Sequence, residues 1–225
     1  MRPVGPDQCR PRVGLIRLDT HFPRPLGDMG QPQTYAHMGL HAEVLTVPQA
    51  SARRVIEEAD PALLHPFVEA ARTLEARGVD LITTSCGFLA RYQADLQAAV
   101  RVPVLSSALL WCRQLSQPGI LTFDARHLGP AECQGAGVPA GTPIVGLPQG
   151  ELRRVILHDL DHLDLQLAQA EAVAAACELV ERHPAVQHIV LECTNLPPYR
   201  EAMAAATRRP VHDLQTLIEA HFAPH

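Results

Sequence analysis

Two cysteines occupy matching contexts 107 residues apart, and the chemistry open to such a pair is proton transfer at carbon. In "DLITTSCGFLARY" (80–92), apolar Leu81 and Ile82 run through Thr83, Thr84 and Ser85 to Cys86 and Gly87. In "HIVLECTNLPPYR" (188–200), Ile189, Val190 and Leu191 lead to Cys193, then Thr194 and Asn195 precede Pro197 and Pro198. Each stretch spells a strand, a tight turn and a helix start. A thiol at a helix N-terminus meets unpaired N–H groups and the positive end of the helix dipole, which predicts a lowered pKa. Inverting a carbon through a planar carbanion needs one acid/base group on each face, one thiolate and one thiol. Thr84, Ser85 and Thr194 offer hydroxyl donors to a thiolate or a substrate carboxylate, although the same residues also suit turns and N-caps. Asn195 can bind a substrate but cannot exchange a proton.

The elements that must hold these residues alternate. A first strand at 13–18, "VGLIRL", ends at Asp19 and Thr20 before a long Pro/Gly loop, "HFPRPLGDMGQPQTY". A strand at 42–47 and "SARRVIEEAD" follow. Leu63, Leu64, Phe67, Val68, Ala71 and Leu74 then share one helical face that stops at Gly78. Strand 80–84, a helix near 88–99 and strand "VPVLS" complete a first half. The second half repeats the plan: helix 107–115, strand "PGILTF", helix 126–136, strand "PIVGL", "ELRRVIL", a long helix over 161–183, strand 188–192, helix 198–206, strand "PVHD" and a final helix. Alternation of this kind predicts an α/β protein built on parallel sheets. "RRVI" occurs at 53–56 and again at 153–156, each time upstream of a long helix, a strand and a cysteine turn. The repeat predicts two similar lobes related by pseudo-symmetry. Ligands of open parallel sheets bind beyond the carboxyl ends of the strands, so both thiols should face one cleft between the lobes.

Composition narrows the function. The 225 residues contain no lysine, all 19 basic residues being arginine. Pyridoxal phosphate and Schiff-base enzymes, P-loop proteins and Ser-Lys hydrolases each need an amine that is missing here. A formal charge of −5 disfavours nucleic acid as a partner. No apolar run approaches a membrane span and no secretory leader opens the chain, so a cytoplasmic protein is expected. The six cysteines show no CxxC spacing, which argues against disulfides and zinc. Cys112 and Cys177 read as buried small hydrophobes, and Cys9 and Cys133 as incidental. The histidines form no HExxH pattern, no metal is expected, and "HDLDHLD" (158–164) reads as an exposed helical face rather than a metal site.

"TTSCGF" and "LECTN", each closing a strand in its own half, resemble the two catalytic cysteine motifs of the aspartate/glutamate/hydantoin racemase superfamily. "LIRLDT", "VPVLSS", "GILTF" and "PVHDL" extend the resemblance over almost the whole chain. The resemblance implies two α/β lobes, 1–105 plus 208–225 and 106–207, with the last helix packed on the first lobe. It also implies a cofactor-independent racemase or epimerase, an isomerase, in which Cys86 and Cys193 transfer protons across the interface. Asp19, Thr20, Thr84, Ser85, Gly87, Thr194 and Asn195 are then the expected substrate contacts. The partner would be a small carboxylate, an amino acid or relative, and a homodimer the expected assembly. Gly87 and Phe88 depart from the Asn-Thr of amino-acid racemases, and Asn195 replaces an ionisable residue. The alternatives are a cis-trans isomerase or decarboxylase of the same superfamily relying on one cysteine, and a protein that binds a small ligand without turning it over. Arg24 could reach an anionic substrate, and Tyr199 could line the cleft or pack at the interface.

Overall fold

The computed structural model describes residues 10–223, so Cys9 lies outside the described residues. β1 (Arg12–Leu18) pairs in parallel with β2 (His41–Val47) and β3 (Leu81–Thr84), and β4 (Val104–Leu105) adds to β3. A second parallel sheet repeats this order, with β5 (Pro118–Thr122) between β6 (Ile144–Gly146) and β7 (His188–Leu191), and β8 (Val211–His212) outside β7. The central strands are buried on both faces, which explains why β3 and β5 read as continuous runs rather than as alternation. Leu15, Ile16, Leu81 and Ile82 anchor one core, and Ile120, Leu121, Ile189 and Val190 the other.

The helices are α1 (Pro32–His37), α2 (Ala52–Ile56), α3 (Leu64–Ala76), α4 (Gln93–Ala99), α5 (Pro130–Ala136), α6 (Glu151–His158), α7 (Leu165–Arg182), α8 (Arg200–Thr207) and α9 (Leu214–Phe222). Gly78 follows α3 with φ of +77°, the left-handed stop that glycine adopts without penalty. Ala168, Ala172, Ala175 and Ala176 on the inner face of α7 let it lie close on the second sheet.

Several local expectations change. The segment "HFPRPLGDMGQPQTY" is not loop throughout, because Pro32 pre-sets the first helical turn and buried Tyr35 docks α1. Each cysteine is followed first by a 3₁₀ turn, Gly87–Tyr92 or Pro197–Tyr199, and only then by α4 or α8. The stretch read as helix 107–115 is likewise a 3₁₀ turn, Ala108–Arg113. "HDLDHLD" is no helical face: Asp159 leaves α6 in the left-handed conformation (φ +50°), and Asp164 caps α7 by accepting from Gln166 N and Leu167 N. Cys112 is buried as expected, but Cys177 is only half-buried. Near the C-terminus β8 pairs with β7 in the second sheet, after which α9 packs on β4 of the first.

The halves meet along a close seam. The two "RRVI" helices, α2 and α6, touch each other. Gly135 of α5 lies so near the carbonyl of Ala90 that a Cβ there would collide with it. Arg91, 14% exposed, crosses the seam to the buried carboxylate of Glu132. Among the described residues no helix is long and apolar enough to cross a membrane.

Candidate functional site

β1 and β3, and β5 and β7, end side by side and direct their following turns into the seam. The same tie closes both pairs: Ser85 N donates to Ile16 O (3.0 Å), and Glu192 N donates to Leu121 O (2.9 Å). The next residues are Cys86 and Cys193, and both line one cavity. Leu18, Thr20, Phe22, Arg24, Ala52 and Ile56 contribute from the first half, with Ser85, Gly87 and Phe88 beside Cys86. Phe123, Ile156, Glu192, Thr194 and Asn195 contribute from the second. The repeat is legible in the wall itself, since Ile56 and Ile156, the last residues of the two "RRVI" runs, both face the cavity.

The thiols do not have the lowered pKa that their strand-end positions suggested. Burial pushes Cys86 up to about 12, the neighbouring Glu192 adds to the rise, and the Phe88 N–H opposes it. Burial and then Glu192 also hold Cys193 well above its ordinary value, against the Asn195 N–H. A single N–H contact from a 3₁₀ turn cannot offset complete removal from water beside an acid.

Glu192 is the residue that sequence reading passed over. It is 1% exposed, and burial, followed in size by the opposing Thr122 hydrogen bond, leaves its pKa raised to about 7. Oε2 accepts from Thr122 Oγ1 (2.7 Å) and Phe123 N (3.3 Å), whereas Oε1 has no hydrogen-bond partner. An acid closing the otherwise apolar run "IVLEC" was the available signal.

The remaining expected contacts divide. Thr20 accepts from Arg24 (2.8 Å), Thr194 donates to Ser85 O (2.6 Å), and Ser85 Oγ accepts from Leu18 N (3.0 Å). All three line the cavity while tying its wall. Asn195 donates to Asp28 (2.6 Å), and its Oδ1 lies 3.6 Å from Cys193 Sγ. Thr84 lies behind the wall, where its hydroxyl accepts from Cys86 N (3.3 Å) and is 2.8 Å from Ser106 O. Asp19 is also outside the cavity, its carboxylate accepting from Gln49 N (2.9 Å). Arg24 reaches the wall, stacked 4.1 Å over Phe22 and paired with buried Asp28 at 2.8 Å. Tyr199 packs behind it, with its hydroxyl unpartnered and pushed up to about 12 by burial.

The loop over the cavity, which belongs to the first half, is tied to the second. Met29 N donates to Thr194 O (3.1 Å), and Asp159 accepts from His21 N (2.6 Å) and Phe22 N (2.8 Å). Among the described residues no three metal-ligating side chains come together.

No protein-family model matches the chain. Dimethylsulfoniopropionate lyase 5 of Emiliania huxleyi (strain CCMP1516) is 32% identical over 234 residues, covering 94% of this chain and 45% of that protein. The chain thus spans just under half the length of that relative. A dimethylsulfoniopropionate lyase of Durusdinium sp. clade D is 27% identical over 93% of this chain and 73% of its own length. Dimethylsulfoniopropionate lyase 7 of Emiliania huxleyi is 28% identical over 95% and 67%. These relatives overturn the racemase and isomerase expectation, because they are lyases.

Solved structures give the fold. Allantoin racemase from Pseudomonas fluorescens superposes with a TM-score of 0.58 at 17% identity, over 93% of this chain and 88% of that one. An arylmalonate decarboxylase mutant in its sulfate-associated form gives 0.58 at 16%, over 89% and 87%. An aspartate racemase homologue from Pyrococcus horikoshii OT3 gives 0.56 at 16%, over 93% and 96%. These likenesses show the fold, two parallel α/β halves of the kind found in those racemases and in the decarboxylase.

Proposed function

We propose that the chain is a lyase that eliminates a neutral leaving group from the β-carbon of a small carboxylate, with dimethylsulfoniopropionate as the substrate. The observation that carries this reading is the likeness to dimethylsulfoniopropionate lyases over 93–95% of the chain, found together with two buried thiols on one cavity. In this reading Cys86 and Cys193 are the acid/base pair. One, as thiolate, takes a proton from the carbon next to the carboxylate. The C–H electrons form the carbon–carbon double bond, and the carbon–sulfur pair departs on neutral dimethyl sulfide. Acrylate is left, and the proton is now on the cysteine, which returns it to solvent. Hydrogen bonds from the cavity hydroxyls would take the substrate carboxylate as its α-carbon gains negative charge. A dry cavity raises the cost of the thiolate but strengthens its pull on a substrate cation.

The test is headspace detection of dimethyl sulfide over the protein supplied with dimethylsulfoniopropionate. Release is expected, and Cys86→Ala and Cys193→Ala should each reduce it at least ~100-fold. Absence of release from the intact chain, or full release from both variants, would overturn the reading.

A further inference from the structure

The comparison of the two halves isolates one group that the fold does not require. Ser85 and Glu192 are equivalent residues, each one before a cavity thiol and each with its backbone N–H tied to the neighbouring strand. Their side chains do the same structural work. Ser85 Oγ accepts from Leu18 N at 3.0 Å, and Glu192 Oε2 accepts from Phe123 N at 3.3 Å. A hydroxyl suffices for that tether in the first half. In the second half a longer side chain performs it and carries a further oxygen, Oε1, which is buried against Gly87 with no hydrogen-bond partner, while Glu192 itself lines the cavity.

The rest of the cavity charge is already balanced. Arg24 is paired with Asp28, and Arg153, which stacks 5.0 Å from the Phe123 ring centroid, is paired with Asp124. Glu192 is the one carboxylate among the lining residues, and it has no cation. A buried polar group left unpaired is costly and in native proteins usually marks a function. Gly87 shows that room was made for it: a Cβ there would overlap both the Glu192 backbone carbonyl and Oε1.

We propose that Glu192 is the cation-recognition group of this site, its carboxylate, which has no counter-cation, drawing the positively charged end of an onium carboxylate while Phe88 and Phe123 pack around the methyl groups. The proposal rests on the lyase reading for the identity of the substrate, but what it claims is charge selection. An onium group is bulky, has no N–H or O–H to donate and is poorly met by hydrogen-bond acceptors in general. A bare carboxylate oxygen in a low-dielectric pocket is the complement it needs.

A pair of isosteric ligands tests this by calorimetry: 3-(trimethylammonio)propanoate, and 4,4-dimethylpentanoate, in which carbon replaces the charged nitrogen. The intact protein should bind the ammonium compound at least ~10-fold more tightly than its neutral isostere. In Glu192→Gln that preference should fall to within about threefold, with affinity for the neutral compound retained or improved. Glu192→Ser, which keeps the hydroxyl tether seen at Ser85, guards against a folding defect in the first variant and should give the same collapse. Equal binding of the two ligands by the intact protein, or a preference surviving in both variants, would overturn the proposal. A cation preference without dimethyl sulfide release would leave charge selection standing and sink the lyase reading instead.

Discussion

Gly87 and Glu192 are in contact across the seam between the two halves, so closely that the first position has no room for any side chain. The obstacle is partly backbone carbonyl and cannot swing away. Gly87→Ala should therefore destabilise the protein by about 1–3 kcal/mol, visible as a lowered thermal midpoint, and Gly87→Asn by more. Unchanged stability in Gly87→Asn would mean that the contact is not rigid.

Glu192 also predicts a pH dependence of stability. Its folded pKa of about 7 lies above that of an unfolded glutamate, so between the two values the native state binds more protons than the unfolded chain. By linkage, stability falls as pH rises through that window and levels off above it, with an amplitude on the order of 3 kcal/mol. Denaturant midpoints at pH 5 and pH 8 should show the decline in the parent protein and a smaller one in Glu192→Gln. The difference between the two proteins isolates Glu192 from Asp213, also raised by burial, and His212, lowered by it.

Burial should make the two site thiols slow to alkylate. With iodoacetamide at pH 8 and peptide mapping, half-buried Cys177 is expected to react ahead of Cys86 and Cys193. Because Glu192 raises both thiols, Glu192→Gln should speed their modification. Faster reaction of Cys86 than of Cys177 in the parent protein would contradict the raised pKa.

Asp28 neutralises Arg24 and accepts from Gly30 N (2.7 Å) and Asn195 (2.6 Å), all in the buried wall. Removing it strands a buried cation, so Asp28→Ala should cost about 3–5 kcal/mol in urea unfolding. Adding Arg24→Met should recover part of that loss, giving a strongly non-additive double-mutant cycle. Additive effects would show that the pair is not coupled.

Asp159 holds the loop over the cavity through His21 N and Phe22 N. Asp159→Ala should speed amide hydrogen exchange at His21 and Phe22 and lower stability by about 1–2 kcal/mol, whereas Asp159→Asn tolerates the left-handed backbone and should cost less. Unaltered exchange at both amides in the alanine variant would show that the loop is held elsewhere.

The fold and the pairing of the thiols were legible because both follow from local patterns. Buried parallel strands leave apolar runs, and the "RRVI" repeat marks two helices that meet at Ile56 and Ile156. What escaped depends on the third dimension. Nothing in "TTSCGF" says that Gly87 faces Glu192 from the other half, or that Asp19 and Thr84 turn away from the cavity while Arg24 turns into it. The thiol pKa was misread for the same reason: strand-end placement is visible in the chain, but burial beside an acid is a property of the assembled seam. The racemase expectation failed for a related reason, because cysteine spacing points to proton transfer without naming the reaction it serves.

Leu18 and Phe123, Ile56 and Ile156, and Cys86 and Cys193 give the cavity a near-symmetric lining, and a symmetric vessel has no front or back. Glu192 opposite Ser85 supplies one. Under the proposed elimination, a molecule with a cation at one end would settle in a single sense, with one thiol beside its acidic carbon and the other beside its leaving group. Exchanging the two residues, as Ser85→Glu with Glu192→Ser, would then turn the site end for end and swap the duties of the two cysteines.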